Sequence, residues 1–234
     1  MDILKLLNIP LIQPSRIPIT KINEILETDN QTKRFTENHV SSIKLVSILN
    51  EDTIKIRSYV DDNYSFQTIY VLEVELKSEE SISEVARLIH SAFPESTLIV
   101  LNHKEQSYLS GALKRINRLD QTKTVIEDCV TTLITSEYNN LNLKISVLNL
   151  KGLYDYILNT LYKHKAYVIT GIIPKSNIDY KKAIKEYEEA SSNISRLKKE
   201  YNEASMMAEK AKIDDELYKY ENLLNEVICE IRGE

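Results

Sequence analysis

The sequence is poor in the residues that interrupt regular structure. Its 234 residues include four glycines, five prolines and two cysteines, and tryptophan is absent. With so little glycine there is no Gly-x-Gly pattern, so a glycine-rich phosphate-binding loop is not predicted. Scarce glycine and proline also leave no long linker or low-complexity tract. The sequence therefore indicates folded segments joined by short connections.

Disulfides, a basic surface and long apolar runs are also missing. Cys129 and Cys229 lie far apart without metal-ligand spacing, a usage typical of a reducing compartment. The net charge of −5 excludes a global basic field, although a local basic patch is compatible with it. No apolar run approaches the roughly 20 residues that span a bilayer, and the start is too short and wrongly charged for a signal peptide. We expect a cytoplasmic protein.

The first part of the chain predicts an α/β module over residues 1–148. Residues 1–9 predict a short helix, and Pro10, Pro14 and Pro18 an extended arm. Apolar spacing predicts a helix from Thr20 and another through Phe35, Val40, Ile43 and Val46. Apolar and polar residues then alternate in Thr53–Arg57 and Gln67–Lys77. Alternation of this kind is typical of half-buried strands. The segment Tyr59–Ser65 is predicted to be the turn between them.

A second run of elements completes the predicted module. Ser81 and Glu84 have the spacing of a capping box that opens a helix, which Pro94 closes. Further strands are predicted at Thr97–Leu101, Gln106–Ser110 and within 123–134. The order of elements predicts an α+β fold in which a small mixed sheet has helices on one side.

The end of the chain predicts a long antiparallel helical hairpin, coiled-coil-like, over residues 175–234, reached through a connecting helix and linker at 149–174. Apolar and small residues repeat in heptads from Tyr180 to Ala211. A second repeat from Ile213 to Ile231 is out of phase with the first, which predicts a reversal within 205–213. A single helix with a stutter remains an alternative.

Three charged residues on one strand form the candidate chemical site. Glu73, Glu75 and Lys77 project from the same face because strand side chains alternate. Glu-x-Lys at a strand end resembles the active site of restriction-endonuclease-like enzymes, where the carboxylate binds Mg²⁺ and the lysine polarises water. Asp61 or Asp62 would complete that metal site with Glu75. The alternative is an ordinary solvated strand face.

A basic cluster is the candidate nucleic-acid contact. Its members are Lys114, Arg115, Arg118 and Lys123. Basic side chains of this kind hold phosphates, and the group follows a predicted sheet edge. An ordinary solvated turn would have the same composition.

Several short motifs resemble a bacterial family, domain of unknown function 4391. They are Arg16-Ile17-Pro18, the Lys33–Phe35 helix, Thr53–Ile56, Val71–Lys77, Ser81–Leu101, Ala112–Asn117, Leu150–Leu153 and the charged tail. The resemblance covers most of the chain. It implies a gene neighbourhood of DNA methyltransferase and helicase genes in restriction-like loci, and hence a role in DNA modification or phage defence.

Three functional interpretations follow. The first is a non-catalytic accessory subunit without a cofactor. Its α/β module docks on a larger methyltransferase or helicase partner, its helical hairpin serves as a spacer or docking arm, and it reaches DNA through that complex. The alternative is a Mg²⁺-dependent nuclease that uses Glu75 and Lys77. A third is a homo-oligomeric scaffold built through the C-terminal helices.

Overall fold

The computed structural model describes residues 3–26, 29–120, 123–138, 141, 143 and 146–233. The chain divides into two compact units, Met1–Leu161 and Tyr162–Glu234. The long helix α6 crosses this boundary. None of the helices within the described ranges has both the length and the apolar character needed to cross a membrane.

The helices and strands follow one another in mixed order. The helices are α1 (Ile3–Leu7), α2 (Ile19–Ile25), α3 (Asn30–His39), α4 (Glu51–Ile54), α5 (Ile82–Ser91), α6 (Leu150–Thr170), α7 (Tyr180–Glu203) and α8 (Met207–Arg232). The strands are β1 (Ser15–Ile17), β2 (Val40–Leu49), β3 (Tyr59–Val60), β4 (Ser65–Phe66), β5 (Ile69–Leu76), β6 (Ser96–His103), β7 (Gln106–Ile116) and β8 (Thr124–Leu133).

A six-stranded mixed sheet organises the first unit, in the order β1-β2-β5-β6-β7-β8. Strands β5 and β6 are parallel and the other neighbouring pairs are antiparallel. Parallel neighbours need a crossover, and α5 supplies it. The predicted α+β class with a small mixed sheet is confirmed, and so are the predicted strands after α5.

The sheet buries apolar residues on both of its faces. On one face, Leu72, Val74 and Leu76 of β5 pack with Val85 and Ile89 of α5. On the other, Tyr154, Leu158 and Leu161 of α6 lie against Gly111 of β7, where an added Cβ would approach the Leu158 Cδ2 atom to 2.9 Å. The absence of a side chain at Gly111 lets α6 lie close to the strand, so the structure adds a helix on the second face of the sheet.

Strand β2 corrects the prediction of a helix through Val40, Ile43 and Val46. These residues are buried, but they belong to a strand that pairs with β5. Irregularities in the pairing between Val40 and Ser42 and between Leu45 and Ser47 interrupt the strict alternation. Each bulge adds one residue, so inward-facing positions recur at intervals of three and imitate a helix.

Two further local predictions, a strand through Thr53 and a capping box at Ser81, are wrong, and the predicted turn at Tyr59–Ser65 is extended. Thr53 belongs to the short helix α4 and not to a strand, because Asn50 and Thr53 form a reciprocal capping box. The predicted turn after it is a small hairpin of β3 and β4. The Ser81 side chain makes no capping hydrogen bond, and its φ of 58° is left-handed, so the predicted capping box with Glu84 does not form.

In the second unit, the end of the chain forms two helices, α7 and α8, in place of one unbroken helix. Helix α7 ends at Glu203 and α8 begins at Met207, with extended backbone at Ala204 and Met206. The helices run antiparallel: Lys198 and Glu221 form an ion pair of 3.5 Å. The reversal begins one residue before the predicted interval of 205–213.

Candidate functional site

A polar cavity lies beside the carboxyl ends of the parallel strands β5 and β6. Its volume is about 400 Å³, and Glu73 and Glu75 line it with Asn102, Lys104, Glu105 and Ser107. Ile3 and Leu4 of α1 and Val100 add an apolar wall. In open α/β sheets, ligands bind next to the carboxyl ends of the strands. The predicted carboxylates therefore line the cavity in which a ligand would be expected.

Strand register brings the polar groups of this cavity together. Glu75 lies opposite Asn102, which in turn lies opposite Ser107. The Asn102 amide donates to the Glu75 carboxylate at 3.3 Å, and the Ser107 hydroxyl donates to the Asn102 carbonyl at 2.9 Å. Glu73 forms an ion pair with Lys44, with 3.6 Å between the Glu73 Oε2 and Lys44 Nζ atoms. Both carboxylates thus have partners within the protein.

The lysine of the Glu-x-Lys pattern is held by another element. The Lys77 ammonium donates to the main-chain carbonyl of Glu37 at 2.5 Å. Glu37 lies in the last turns of α3, where backbone carbonyls lack partners within the helix. The observed hydrogen bond therefore gives Lys77 a role in capping α3.

The predicted third metal ligand lies at the other end of the sheet. Asp61 accepts hydrogen bonds from the Tyr59 hydroxyl and from the amides of Asn63 and Tyr64, at 2.6, 2.8 and 2.7 Å. These bonds, above all that from Tyr59, lower the pKa of Asp61. Its function in the structure is to order the β3–β4 turn. Asp62 is the exposed neighbour in the same turn.

The separation between Asp61 and Glu75 follows from β7. The Ile116 amide, at one end of β7, donates to the Asn63 carbonyl at 2.7 Å. Ser107, which contacts Asn102 of the Glu75 group, lies at the other end. Nine residues of strand at 3.3 Å each span roughly 30 Å. Within the described ranges, no three His, Cys, Asp or Glu residues are placed to hold one metal ion.

The structure separates the predicted basic cluster and corrects it at Lys114. This side chain is only 5% exposed and donates inside the protein to the Phe93 and Glu95 carbonyls. Arg115 projects from the opposite face of β7 and pairs with Glu127 at 3.2 Å. Arg118 is exposed, and Lys123 pairs with Asp120 at 3.9 Å. A buried ammonium cannot meet a phosphate, so Arg118 and Lys123 are the exposed members.

A buried polar network surrounds Lys114. The His90 ring contacts Thr97 Oγ1 through Nδ1 at 2.5 Å and Ser110 Oγ through Nε2 at 3.0 Å. Ser110 Oγ lies 2.8 Å from Thr131 Oγ1. Burial lowers the pKa of His90 well below its usual value, and the nearby Lys114 charge lowers it further. The lowered pKa favours the neutral form of the buried His90 ring.

The family comparison agrees with the resemblance in the sequence. The family model Domain of unknown function (DUF4391) matches residues 12–224. The chain belongs to this family. No curated protein and no solved structure matches it.

Sequence reasoning did not find the network around His90 and Lys114. The histidine occupies the apolar face of α5, and the lysine alternates with Leu113 and Arg115 along β7. The signal in the sequence was a polar residue, His90 or Lys114, at a position whose neighbours in the pattern indicate burial. Such residues need partners from other elements, and those partners become visible only when α5 and strands β6 to β8 are assembled.

Proposed function

We propose that this DUF4391 protein is a non-catalytic accessory subunit of a bacterial DNA restriction-modification or phage-defence system. It docks on a larger methyltransferase or helicase of the same locus through its C-terminal hairpin. The single observation that carries the proposal is the exposure of the distal arm, which we define as residues 198–226 of the hairpin. None of these residues is buried.

The distal arm displays apolar side chains that two isolated helices cannot cover. Met206 and Met207, at the reversal, are 67% and 84% exposed, and Tyr218 on α8 is 68% exposed. By contrast, the proximal part of α7 buries Ala190, Ile194 and Leu197. Methionine adapts to irregular partner surfaces, and exposed aromatic residues are enriched at protein interfaces. An arm of this kind supports docking on a protein partner.

The groups at the Glu75 cavity support a non-catalytic role for the first unit. Glu75 accepts from Asn102, Glu73 faces Lys44, and Lys77 caps α3. Each group of the Glu-x-Lys strand thus stabilises a neighbouring element. Asp61, in turn, orders a hairpin at the far end of the sheet. Because these side chains have separate partners and Asp61 lies far away, the contacts support the interpretation of Glu73, Glu75 and Lys77 as a solvated strand face.

The test is co-purification of the full chain with the methyltransferase and helicase encoded beside its gene. A Met206→Glu, Met207→Glu variant places charge on the tip, and Lys212→Glu is the matched control because Lys212 is exposed on the same arm. Interface anchors typically contribute about 2 kcal/mol or more, so the tip variant should bind at least tenfold more weakly. Equal binding by both variants would reject docking through the tip, and self-association alone would favour a homo-oligomeric scaffold.

A second candidate is a Mg²⁺-dependent nuclease. It is favoured by the position of Glu75 in a polar cavity at the carboxyl end of a parallel strand. Under this alternative, Glu75 would bind the metal and Lys77 would leave Glu37 to orient the attacking water. The same preparations, assayed for DNA cleavage with Mg²⁺, distinguish the candidates. Cleavage by the purified chain that is lost in Glu75→Gln, with binding to the partner preserved, would establish the nuclease.

A further inference from the structure

An apolar cavity in the first unit differs in character from the polar one beside Glu75. Its volume is about 480 Å³, within the range of small-molecule sites. The most deeply buried residues that line it are Leu49 of β2, Leu153 of α6 and Leu143, and these form its floor. Among the described residues that line it, none has an ionisable side chain. The cavity therefore favours an uncharged occupant.

The mouth of this apolar cavity carries two polar side chains. Asn8 and Ser146 line the cavity and are exposed, as is Pro10. The Asn8 amide and the Ser146 hydroxyl can each donate and accept a hydrogen bond. A few polar groups on an apolar lining fix the orientation of a small ligand. A ligand with one polar end would therefore keep that end at the mouth and place its apolar body inside.

The wall that precedes β1 is held to the sheet by hydrogen bonds. Ile9 and Pro10 belong to the arm between α1 and β1 and line the cavity. The Ser47 hydroxyl of β2 donates to the Pro10 carbonyl at 2.5 Å, and the Ile12 amide donates to the Val46 carbonyl at 3.0 Å. These bonds position the arm independently of any contact between side chains inside the cavity.

A second wall is held to α6. Ile54 ends α4, Ile56 follows it, and both line the cavity. The Leu150 amide at the start of α6 donates to the Arg57 carbonyl at 2.8 Å, which fixes the segment next to Ile56. Because hydrogen bonds of the backbone hold both walls, the cavity is formed in the absence of a ligand, as small-molecule sites usually are.

We propose that this cavity binds an uncharged, mainly apolar small molecule with a hydrogen-bonding group at one end. Such a ligand gains by removing its own apolar surface and that of the cavity from water. A charged ligand body would lose its hydration without a compensating charge on the described lining. The proposal concerns the first unit and does not rest on the accessory-subunit function.

Two fluorescent dyes test the site in the full chain: the neutral phenylnaphthylamine and its anionic relative anilinonaphthalene sulfonate. The neutral dye should bind saturably and more tightly than the anion. Ile56→Trp places an indole in the cavity and should weaken binding of the neutral dye by on the order of tenfold or more. The matched control Leu148→Trp adds the same side chain at an exposed position outside the lining and should change the affinity by less than about twofold.

Three results of this titration would overturn the proposal. They are a lack of saturable binding by the wild type, an equal affinity of Ile56→Trp and Leu148→Trp for the neutral dye, and tighter binding of the anion than of the neutral dye.

A measurement on the wild type keeps the test independent of how well Ile56→Trp folds. Nuclear magnetic resonance of the methyl groups, with and without the neutral dye, reports where the dye lies. The methyl signals of Leu49 and Leu153, on the floor of the cavity, should shift, whereas those of Leu223 on the exposed distal arm should not. Shifts confined to residues outside the cavity would also refute the proposed site.

Discussion

The hydroxyl of Tyr154 gives the sharpest test of how α6 is attached to the sheet. Tyr154 is fully buried, its hydroxyl donates to the Thr97 carbonyl at 2.6 Å, and it accepts from the Ala112 amide at 2.9 Å. One phenol thus joins β6, β7 and α6. Burial raises the pKa of this phenol far above its usual value, so it remains a donor at every pH of interest.

Tyr154→Phe keeps the ring and removes only the oxygen atom. The variant leaves a buried amide at Ala112 without this acceptor, and an unsatisfied buried group typically costs about 1–3 kcal/mol. We therefore expect the free energy of unfolding to fall by about 2 kcal/mol. Tyr156→Phe is the matched control on the same helix, because Tyr156 is only half-buried.

Urea unfolding followed by far-ultraviolet circular dichroism measures this difference, and the chain contains no tryptophan for fluorescence. The comparison of the two variants removes effects common to loss of any tyrosine hydroxyl on α6. A difference below about 0.5 kcal/mol between Tyr154→Phe and Tyr156→Phe would contradict the assigned hydrogen bonds, since surface changes usually lie within that range.

Three further predictions concern other parts of the first unit. Burial lowers the pKa of Lys114 to about 7 in the folded protein, whereas a lysine in the unfolded chain titrates at about 10.4. Between these values the unfolded chain binds more protons than the folded chain, so the unfolding free energy of the wild type should rise by about 2 kcal/mol relative to Lys114→Met between pH 7 and 9. Parallel stability curves for the two proteins would contradict this sign. Leu72→Ala should destabilise the unit by about 2–5 kcal/mol in urea unfolding. If Arg118 and Lys123 contact phosphates, reversing both charges should reduce the salt slope of DNA binding by about two, and an unchanged slope would identify a solvated turn.

The sequence predicted the strands and helices whose apolar residues repeat with the period of a single strand or helix. Strand β5 alternates apolar and acidic residues from Leu72 to Leu76 and was predicted because one of its faces is apolar throughout. The hairpin was predicted because the heptads of α7 and α8 differ in phase. These features are repeated over several turns or residues, so a single irregular position does not hide them.

The remaining features depend on contacts between distant residues. Bulges in β2 spaced its buried residues like those of a helix, and they are defined only by pairing with β5. Lys114 was assigned to a surface cluster because lysine is usually exposed; its burial depends on carbonyl groups from the α5–β6 connection. The distance between Asp61 and Glu75 likewise follows from where the β3–β4 hairpin attaches to β7.

The most direct test of the accessory-subunit proposal is DNA processing by the full system reconstituted from its locus. Two versions of the chain are compared with the wild type: Glu75→Gln with Lys77→Met, and Met206→Glu with Met207→Glu. The proposal predicts wild-type processing with the first version, because the strand does no chemistry, and loss of processing with the second, because the arm no longer docks. Loss with the first version, while assembly with the partner remains intact, or normal processing with the second version, would contradict the proposal.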